Sequence, residues 1–331
     1  MFASFPSYRL SKPKGAALID LVVVVGVIAT GFSIMMPAIE QSQRAAQRTG
    51  CEANLKKLGE AFHAYEQVHG GFAPRRTGFG DGSLPYGGWG SQILPHVDLT
   101  IDKDYHHDYD FFDPINKPVT EKKINTYMCP AAPHDRVMTI SANATANSAN
   151  PNKDTLFTAE CGPVVFISSN GLFMPNGGYG LNWPAAARGN DHQALTDNDD
   201  QPLSTITDGL AQTFLLIEHA GAPQVWRVGK RIDGPDLFAG ANNSRGAWAG
   251  WGSISFGAFD PETGNERGKG DDKDCTVNCN NFFGIYGFHE KGANVLMCDG
   301  SVRFVSNKLN GLTFGRLTTR DDGQLIAPDS F

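Results

Sequence analysis

The chain has 331 residues, of which 40% are hydrophobic, and it carries a formal charge of -7 at neutral pH. This length and apolar content are sufficient for one or two domains with a substantial core. The excess of acidic residues argues against a nucleic-acid partner, because nucleic-acid-binding surfaces require clustered lysine and arginine.

The first predicted element is an apolar segment that follows a short basic leader. Residues 1–15 contain three basic residues and no acidic one, and residues 16–39 contain a single charged residue, Asp20. At about 1.5 Å per residue, a helix over residues 16–39 is long enough to cross a hydrocarbon core of about 30 Å. The pattern predicts a transmembrane helix whose basic leader stays in the cytoplasm.

Other interpretations of this segment are open at the level of sequence. A cleaved secretory signal has an apolar core of about 7–15 residues, which is shorter than this segment. An uncleaved signal anchor fits both the length and the hydrophobicity. A buried core helix would need apolar partners on every side.

The positions of three residues favour a more specific interpretation. Asp20 lies five residues after Gly15, inside an apolar run. Because a charged side chain is costly in such a run, its presence indicates a functional role. Pro37 lies in the same segment, and proline interrupts the hydrogen bonding of a helix. Together with the basic leader, this pattern resembles the N-termini of type IV prepilins and type II secretion pseudopilins. Those proteins usually have Phe and Glu where this chain has Ala16 and Asp20.

The resemblance implies a route of processing and assembly. A prepilin peptidase would cleave after Gly15, leaving Ala16 as the new amino terminus, with or without a methyl group. The carboxylate of Asp20 would then pair with the amino terminus of a neighbouring pilin-like subunit, because an unpaired charge is costly in an apolar bundle. The resemblance also implies a single-pass inner-membrane protein with a periplasmic or cell-surface C-terminal domain. For an isolated anchor, Asp20 would instead stay hydrated near the interface.

Residues 40–70 are predicted to continue the same helix in amphipathic form. Apolar residues recur at spacings of four and three, which places one face of the helix in a core; they are Cys51, Leu55, Leu58, Phe62 and Tyr65. Gly70 and Gly71 are expected to end the helix. Residues 71–331 are predicted to form an α+β domain of pilin-like type, in which the helix packs on an antiparallel sheet with long loops.

Within this domain, apolar runs at residues 124–130 and 211–219 predict short strands. Residues 240–281 are rich in glycine, asparagine and aspartate and are predicted to be loop. Trp248 and Trp251 are expected to pin this loop to the sheet, although two exposed tryptophans would instead suit a sugar-binding platform.

Six cysteines in an oxidising compartment favour disulfide formation, and Cys275 and Cys279 are close enough in sequence to be bridged. A zinc site at these two cysteines lacks the second pair of ligands that a zinc finger requires. The sequence predicts a protein without a metal or cofactor.

The alternative to a metal-free protein is one that binds calcium, because carboxylates suit this ion and the resemblance to major pseudopilins implies a loop ordered by calcium. The metal-binding candidates are Asp197, Asp199 and Asp200, then Asp271, Asp272 and Asp274, and a loop containing His106 and His107.

The last predicted feature is a hairpin with a turn at Asp299-Gly300, preceded by apolar residues 295–297. Nine residues separate His289 from Asp299. This spacing resembles a large prepilin-like family of unknown function that is defined by His, nine residues and Asp-Gly. Further stretches support the resemblance, at residues 50–65, 127–130 and 206–218.

His289 and Asp299 are expected to be structural, because no nucleophile elbow, phosphate loop or His-Glu-x-x-His helix accompanies them. His289 is expected to bind a loop backbone, and Asp299 is expected to shape the turn. The sequence therefore predicts a structural subunit of a type II secretion or type IV pilus-like assembly, without enzymatic activity. The alternative is a membrane-tethered glycan-binding module, or an enzyme that uses His289 and Glu218.

Overall fold

The computed structural model describes residues 16–78, 84–133, 135–145, 148–151, 153–172, 192–232, 244–266, 274–324 and 326–327. The chain divides into two compact units, Met1–Ala46 and Gln47–Phe331. Gly15 lies outside the described residues, as do the side chains of Ala16 and Asp20. Among the helices of the described part, none combines the length and the apolar character that crossing a membrane requires.

Helix α1 extends over Ala16–His69, and the boundary between the two units falls within it. The helix continues through Pro37. It ends where Gly70 adopts a φ of +83°, a left-handed conformation that glycine reaches without steric cost. The helix thus stops at the glycine pair that the sequence marks as its end.

The strands of the described part lie in the second unit. In chain order they are β1 (Arg76–Thr77), β2 (Gly87–Gly88), β3 (Met138–Asn143), β4 (Leu156–Cys161), β5 (Phe166–Leu172), β6 (Phe214–Glu218), β7 (Val225–Arg227), β8 (Lys230–Ile232), β9 (Ser253–Phe256), β10 (Gly292–Met297) and β11 (Val302–Ser306). The shorter helices are α2 (Trp89–Gln92), α3 (Leu94–Val97), α4 (Leu99–Asp102), α5 (Lys117–Thr120) and α6 (Gly311–Thr318). Short 3-10 helices cover Asn125–Tyr127, Leu203–Thr205 and Leu210–Gln212.

A five-stranded sheet with the order β11-β10-β6-β5-β9 forms the centre of the second unit. The pairs β10–β11, β10–β6 and β5–β6 are antiparallel, whereas β5 and β9 are parallel. The expectation of an antiparallel sheet is therefore wrong for this last pair. The chain passes through β6, β7 and β8 between β5 and β9, so it can return in the same direction, which a tight hairpin turn does not allow.

The face of α1 that the apolar spacing places in the core is buried in the second unit. Cys51, Leu55, Leu58 and Phe62 have no exposed surface. A Cβ atom at Gly59 would lie 3.0 Å from Leu296 Cδ1 of β10, so the missing side chain allows the helix to approach the sheet closely. This contact ties α1 to the C-terminal hairpin.

Two predictions of local structure are wrong. Residues 125–127 form a 3-10 helix rather than part of a strand, and the side-chain amide of Asn54 on α1 donates to the carbonyl oxygens of Asn125 and Met128 at 2.9 and 2.8 Å. The predicted loop 240–281 contains β9. Its four residues lie among glycines, so composition alone does not reveal the strand.

The tryptophan in the middle of this segment serves to pin it. Trp248 is 1% exposed, its indole nitrogen donates to the carbonyl of Lys122 at 3.0 Å, and its ring stacks on that of Tyr127. A sugar platform needs exposed rings, so Trp248 does not supply one.

A compact charge network joins the segment after α1 to residues 192–201. The guanidinium groups of Arg75 and Arg76 both donate to the carboxylate of Asp197, at distances of 2.6–2.9 Å. The two arginine side chains are only 1% and 4% exposed, whereas that of Asp197 is 20% exposed. Burial opposes ionisation of Asp197, but the hydrogen bonds from both arginines outweigh it and lower the pKa of this carboxyl group.

We predict that Asp197→Asn lowers the free energy of unfolding by about 3 kcal/mol at pH 7, because two buried guanidinium groups lose their counter-charge. The pKa of Asp197 is lowered in the folded state, so its contribution is present above the unfolded pKa of about 3.9 and is lost as pH falls through the folded pKa. The difference between variant and wild type should therefore shrink below about pH 4.

Urea unfolding of the full-length protein at several pH values measures this difference. The exposed neighbour Asp199 provides a matched control, since Asp199→Asn should leave stability unchanged within about 0.5 kcal/mol. Equal stability of the Asp197 and Asp199 variants at pH 7 would show that the network contributes nothing.

Candidate functional site

The C-terminal hairpin of β10 and β11 has the turn that its sequence predicts. The carboxylate of Asp299 accepts hydrogen bonds from the backbone nitrogen and the hydroxyl of Ser301, at 2.8 and 2.6 Å. Gly300 has a φ of +82°, and a Cβ atom there would lie 3.5 Å from the ring of His63 on α1. Asp299 and Gly300 therefore shape the turn and allow it to approach the long helix.

His289 does not act together with Asp299. His289 precedes β10 and Asp299 follows it, and a strand of this length spans about 20 Å. The Nε2 atom of His289 lies 3.3 Å from the sulfur of Cys129 and 3.3 Å from Oε1 of Glu218, two side-chain contacts that the expectation of a backbone partner did not include. The histidine of the motif thus belongs to a different site from the aspartate.

Four side chains that come from distant parts of the chain meet at this site. Cys51 lies on α1, Cys129 follows the 3-10 helix at Asn125–Tyr127, Glu218 ends β6 and His289 precedes β10. One donor atom from each residue lies within 4.8 Å of all the others. We refer to Cys51, Cys129, Glu218 and His289 as the buried cluster, because the first three are fully buried and His289 is 8% exposed.

The groups around the buried cluster hold the carboxylate of Glu218 in a defined orientation. Its Oε2 atom accepts a hydrogen bond from the backbone nitrogen of Asn294 at 2.9 Å, and its Oε1 atom faces Cys51 at 3.7 Å. A Cβ atom at residue 287 would lie 2.8 Å from Oε2, so glycine at this position leaves room for the carboxylate. One oxygen is therefore anchored to the sheet and the other points into the buried cluster.

The electrostatics of the buried cluster follow from this geometry. Burial raises the pKa of the Cys51 thiol well above its ordinary value, whereas the hydrogen bond with Cys51 lowers the pKa of Cys129. Burial alone would lower the pKa of His289, but its contacts with Cys129 and Glu218 raise this pKa to about 10. The contacts with Cys129 and Glu218 thus favour the protonated form of His289.

The other predicted site residues are not members of the buried cluster. Cys275 and Cys279 are joined by a disulfide. Both oxygens of Asp197 accept from arginines, so a calcium ion there would have to displace two guanidinium groups. Asp271 and Asp272 lie outside the described residues. In the loop that contains His106 and His107, the ring of His107 contacts Asp102 at 2.9 Å.

The buried cluster was not predicted from the sequence, although the enzyme alternative paired Glu218 with His289. Each stretch that carries the resemblance to the His-x9-Asp-Gly family contains one of its residues: residues 50–65 contain Cys51, residues 127–130 contain Cys129, residues 206–218 end at Glu218, and the motif itself begins at His289. Donor groups of metal-binding type thus recur in separate motifs, and the structure brings these four together.

The chain is similar to one protein family over most of its length and to one known protein over a short segment. A family described as "Protein of unknown function (DUF1559)" matches residues 40–311, a range that includes all four residues of the buried cluster. The chain belongs to this family. It is also 31% identical over 64 residues to a ComG operon protein 3 homolog of Bacillus licheniformis, an alignment that covers 19% of this chain and 66% of that protein. No solved structure shows significant similarity to the chain.

We predict that Glu218→Ala lowers the free energy of unfolding by about 3–5 kcal/mol, because it removes the acceptor of the Asn294 amide and the counter-charge of His289. Denaturant unfolding of the full-length protein measures this loss. Glu60→Ala, at an exposed position on α1, serves as the matched control and should change stability by less than about 0.5 kcal/mol. A Glu218 variant as stable as this control would refute a structural role for the carboxylate.

Proposed function

We propose that this protein is a pilin-like structural subunit that residues 16–39 anchor in the inner membrane and join to neighbouring subunits. The observation that carries the proposal is the surface of α1 in the first unit. Five consecutive apolar side chains, Leu21 to Val25, are each 54–64% exposed. Because an α-helix has 3.6 residues per turn, five consecutive residues surround it completely. An apolar surface on all sides is stable in lipid or among other apolar helices, and not in water.

The pattern at the N-terminus adds a second line of support. A basic leader that ends at Gly15, a carboxylate at Asp20 and a proline at Pro37 resemble the processing and assembly signal of prepilins. The partial match to a ComG operon protein 3 homolog favours a pilin-like relative as well. In this proposal Asp20 pairs with the amino terminus of the adjacent subunit, which compensates both charges within an apolar bundle.

The described part of the second unit supports a structural role more than a catalytic one. Glu218 has no exposed surface and His289 is 8% exposed, so a substrate would not reach them without rearrangement of the core. Trp248, a candidate for sugar binding, is equally inaccessible. A tethered enzyme or glycan-binding module therefore has less support than an assembly subunit.

Processing is tested by the amino-terminal mass of the protein recovered from membranes of its native host. We expect a chain that begins at Ala16, with or without a methyl group. In a Gly15→Val variant, the larger side chain at the cleavage site should leave the chain intact from Met1. An intact Met1 terminus in the wild-type protein would rule out prepilin processing and would leave residues 16–39 as a simple anchor.

Assembly is tested by crosslinking in the same membranes. We expect Asp20→Asn to abolish crosslinked oligomers, because the neutral side chain no longer compensates the neighbouring amino terminus. Asp20→Glu, which restores the usual residue of prepilins, is the matched control and should retain them. If wild type yields only monomers and Asp20→Asn changes nothing, the protein is a free membrane-held subunit.

A further inference from the structure

The buried cluster combines two thiols, an imidazole and a carboxylate around a common centre, and only His289 retains a small exposed fraction. Isolated thiols are ordinary core residues, and a buried histidine commonly pairs with a carboxylate. The convergence of all four on one point is less ordinary, because each group alone would be satisfied by a simpler partner. We propose that Cys51, Cys129, Glu218 and His289 form a zinc site with a structural role.

The distances between the donor atoms fit the edges of a tetrahedron around zinc. Bonds of about 2.0–2.3 Å at tetrahedral angles place neighbouring ligand atoms about 3.3–3.8 Å apart. His289 Nε2 lies 3.3 Å from Cys129 Sγ and 3.3 Å from Glu218 Oε1, and Cys51 Sγ lies 3.7 Å from the same Oε1 atom. All remaining pairs of donor atoms are within 4.8 Å, so small rotations of the side chains suffice to close the site.

The types of donor identify the metal. Hard cations such as calcium and magnesium prefer oxygen ligands, whereas two cysteine sulfurs with one nitrogen and one oxygen suit zinc. Four protein ligands complete a tetrahedron and leave no position for water, which is the arrangement of structural zinc rather than catalytic zinc. Binding would require both cysteines as thiolates and His289 as neutral imidazole, and the displaced protons would pass to solvent.

In zinc sites, neighbouring groups hydrogen-bond to the ligands and orient them, and the buried cluster has such neighbours. The backbone nitrogen of Asn294 holds Glu218 by its outer oxygen, leaving the inner oxygen as a ligand. The side-chain amide of Asn294 is fully buried, and neither its Nδ2 nor its Oδ1 atom has a hydrogen-bond partner among the described residues. Its interaction with Cys51 acts to lower the pKa of that thiol. An amide donor in this position stabilises a thiolate.

Charge is compensated as well. Zinc with two thiolates and one carboxylate carries a net charge of about -1, which is costly in a core unless a cation lies nearby. Arg136 is 2% exposed, and Cys129 acts on its guanidinium group electrostatically. Arg136 is therefore a buried cation whose charge acts on Cys129, the residue that would carry part of this negative charge.

The consequence of such a site is mechanical. It would tie α1, the Cys129 segment, the end of β6 and the start of β10 to a single point within the second unit. The inference does not depend on the proposed function, because it concerns the core of the second unit and not the assembly of residues 16–39.

The test is the metal content of the full-length protein, purified without chelator and measured by inductively coupled plasma mass spectrometry. We expect about one zinc ion per chain. Cys129→Ser should reduce this to background, whereas Cys161→Ser, which changes a buried free cysteine outside the buried cluster, should retain it. Zinc at background in the wild type, or equal zinc in both variants, would overturn the proposal.

A second measurement uses only the wild-type protein, in case the Cys129 variant does not fold. Titration with a mercurial reagent should release one equivalent of zinc as the thiols react, and replacement by cobalt(II) should give the intense visible bands of a tetrahedral thiolate site. Alkylation after denaturation without reductant should label Cys51 and Cys129. A disulfide between these two cysteines, or thiol reaction without release of metal, would show a site held by a crosslink or an ion pair instead.

Discussion

The carboxylate of Glu218 has no contact with solvent, so the segments around it must supply its hydrogen-bond and charge partners. A buried charge is stable only when partners from elsewhere in the chain compensate it. The backbone amide of Asn294 on β10 donates to this carboxylate, and the ring of His289, just before β10, contacts it. The thiol of Cys51 on α1 contacts it from the other element. Because β6 lies between β5 and β10 in the sheet, Glu218 cannot move to meet its partners. The long helix and the hairpin have to be placed around it.

Helix α1 meets different physical requirements in its two parts. Between Cys51 and Tyr65 one face is buried in the second unit, and that face is occupied by contacts within the same chain. From Leu21 to Val25 the apolar side chains have no such cover. A helix that uses one part to complete its own core can offer only the other part to lipid or to neighbouring subunits. The arrangement thus separates folding from the proposed assembly along a single element.

Local patterns in the sequence predicted the elements that local physics determines. The spacing of apolar residues predicted the buried face of α1, and Asp299-Gly300 predicted the hairpin turn. The 3-10 helix at Asn125–Tyr127 was missed because it depends on Asn54, about 70 residues earlier in the chain. The buried cluster was missed for the same reason: 167 residues separate Cys51 from Glu218, and 160 separate Cys129 from His289. No periodicity connects positions so far apart.

The cysteines of the chain connect the proposed location with the proposed zinc site. In an oxidising compartment neighbouring thiols form disulfides, as Cys275 and Cys279 do in this structure. Cys51 and Cys129 are also neighbours, within 4.8 Å, yet both are free thiols. Cys161 and Cys298 are buried away from this pair and lack a partner for oxidation in the described part of the chain. Coordination to zinc would protect Cys51 and Cys129 from bridging, because thiolates bound to the metal are shielded and are held at the separation of a tetrahedral edge. At the proposed periplasmic location, a metal bound between Cys51 and Cys129 would therefore give these two adjacent thiols a physical reason to stay reduced.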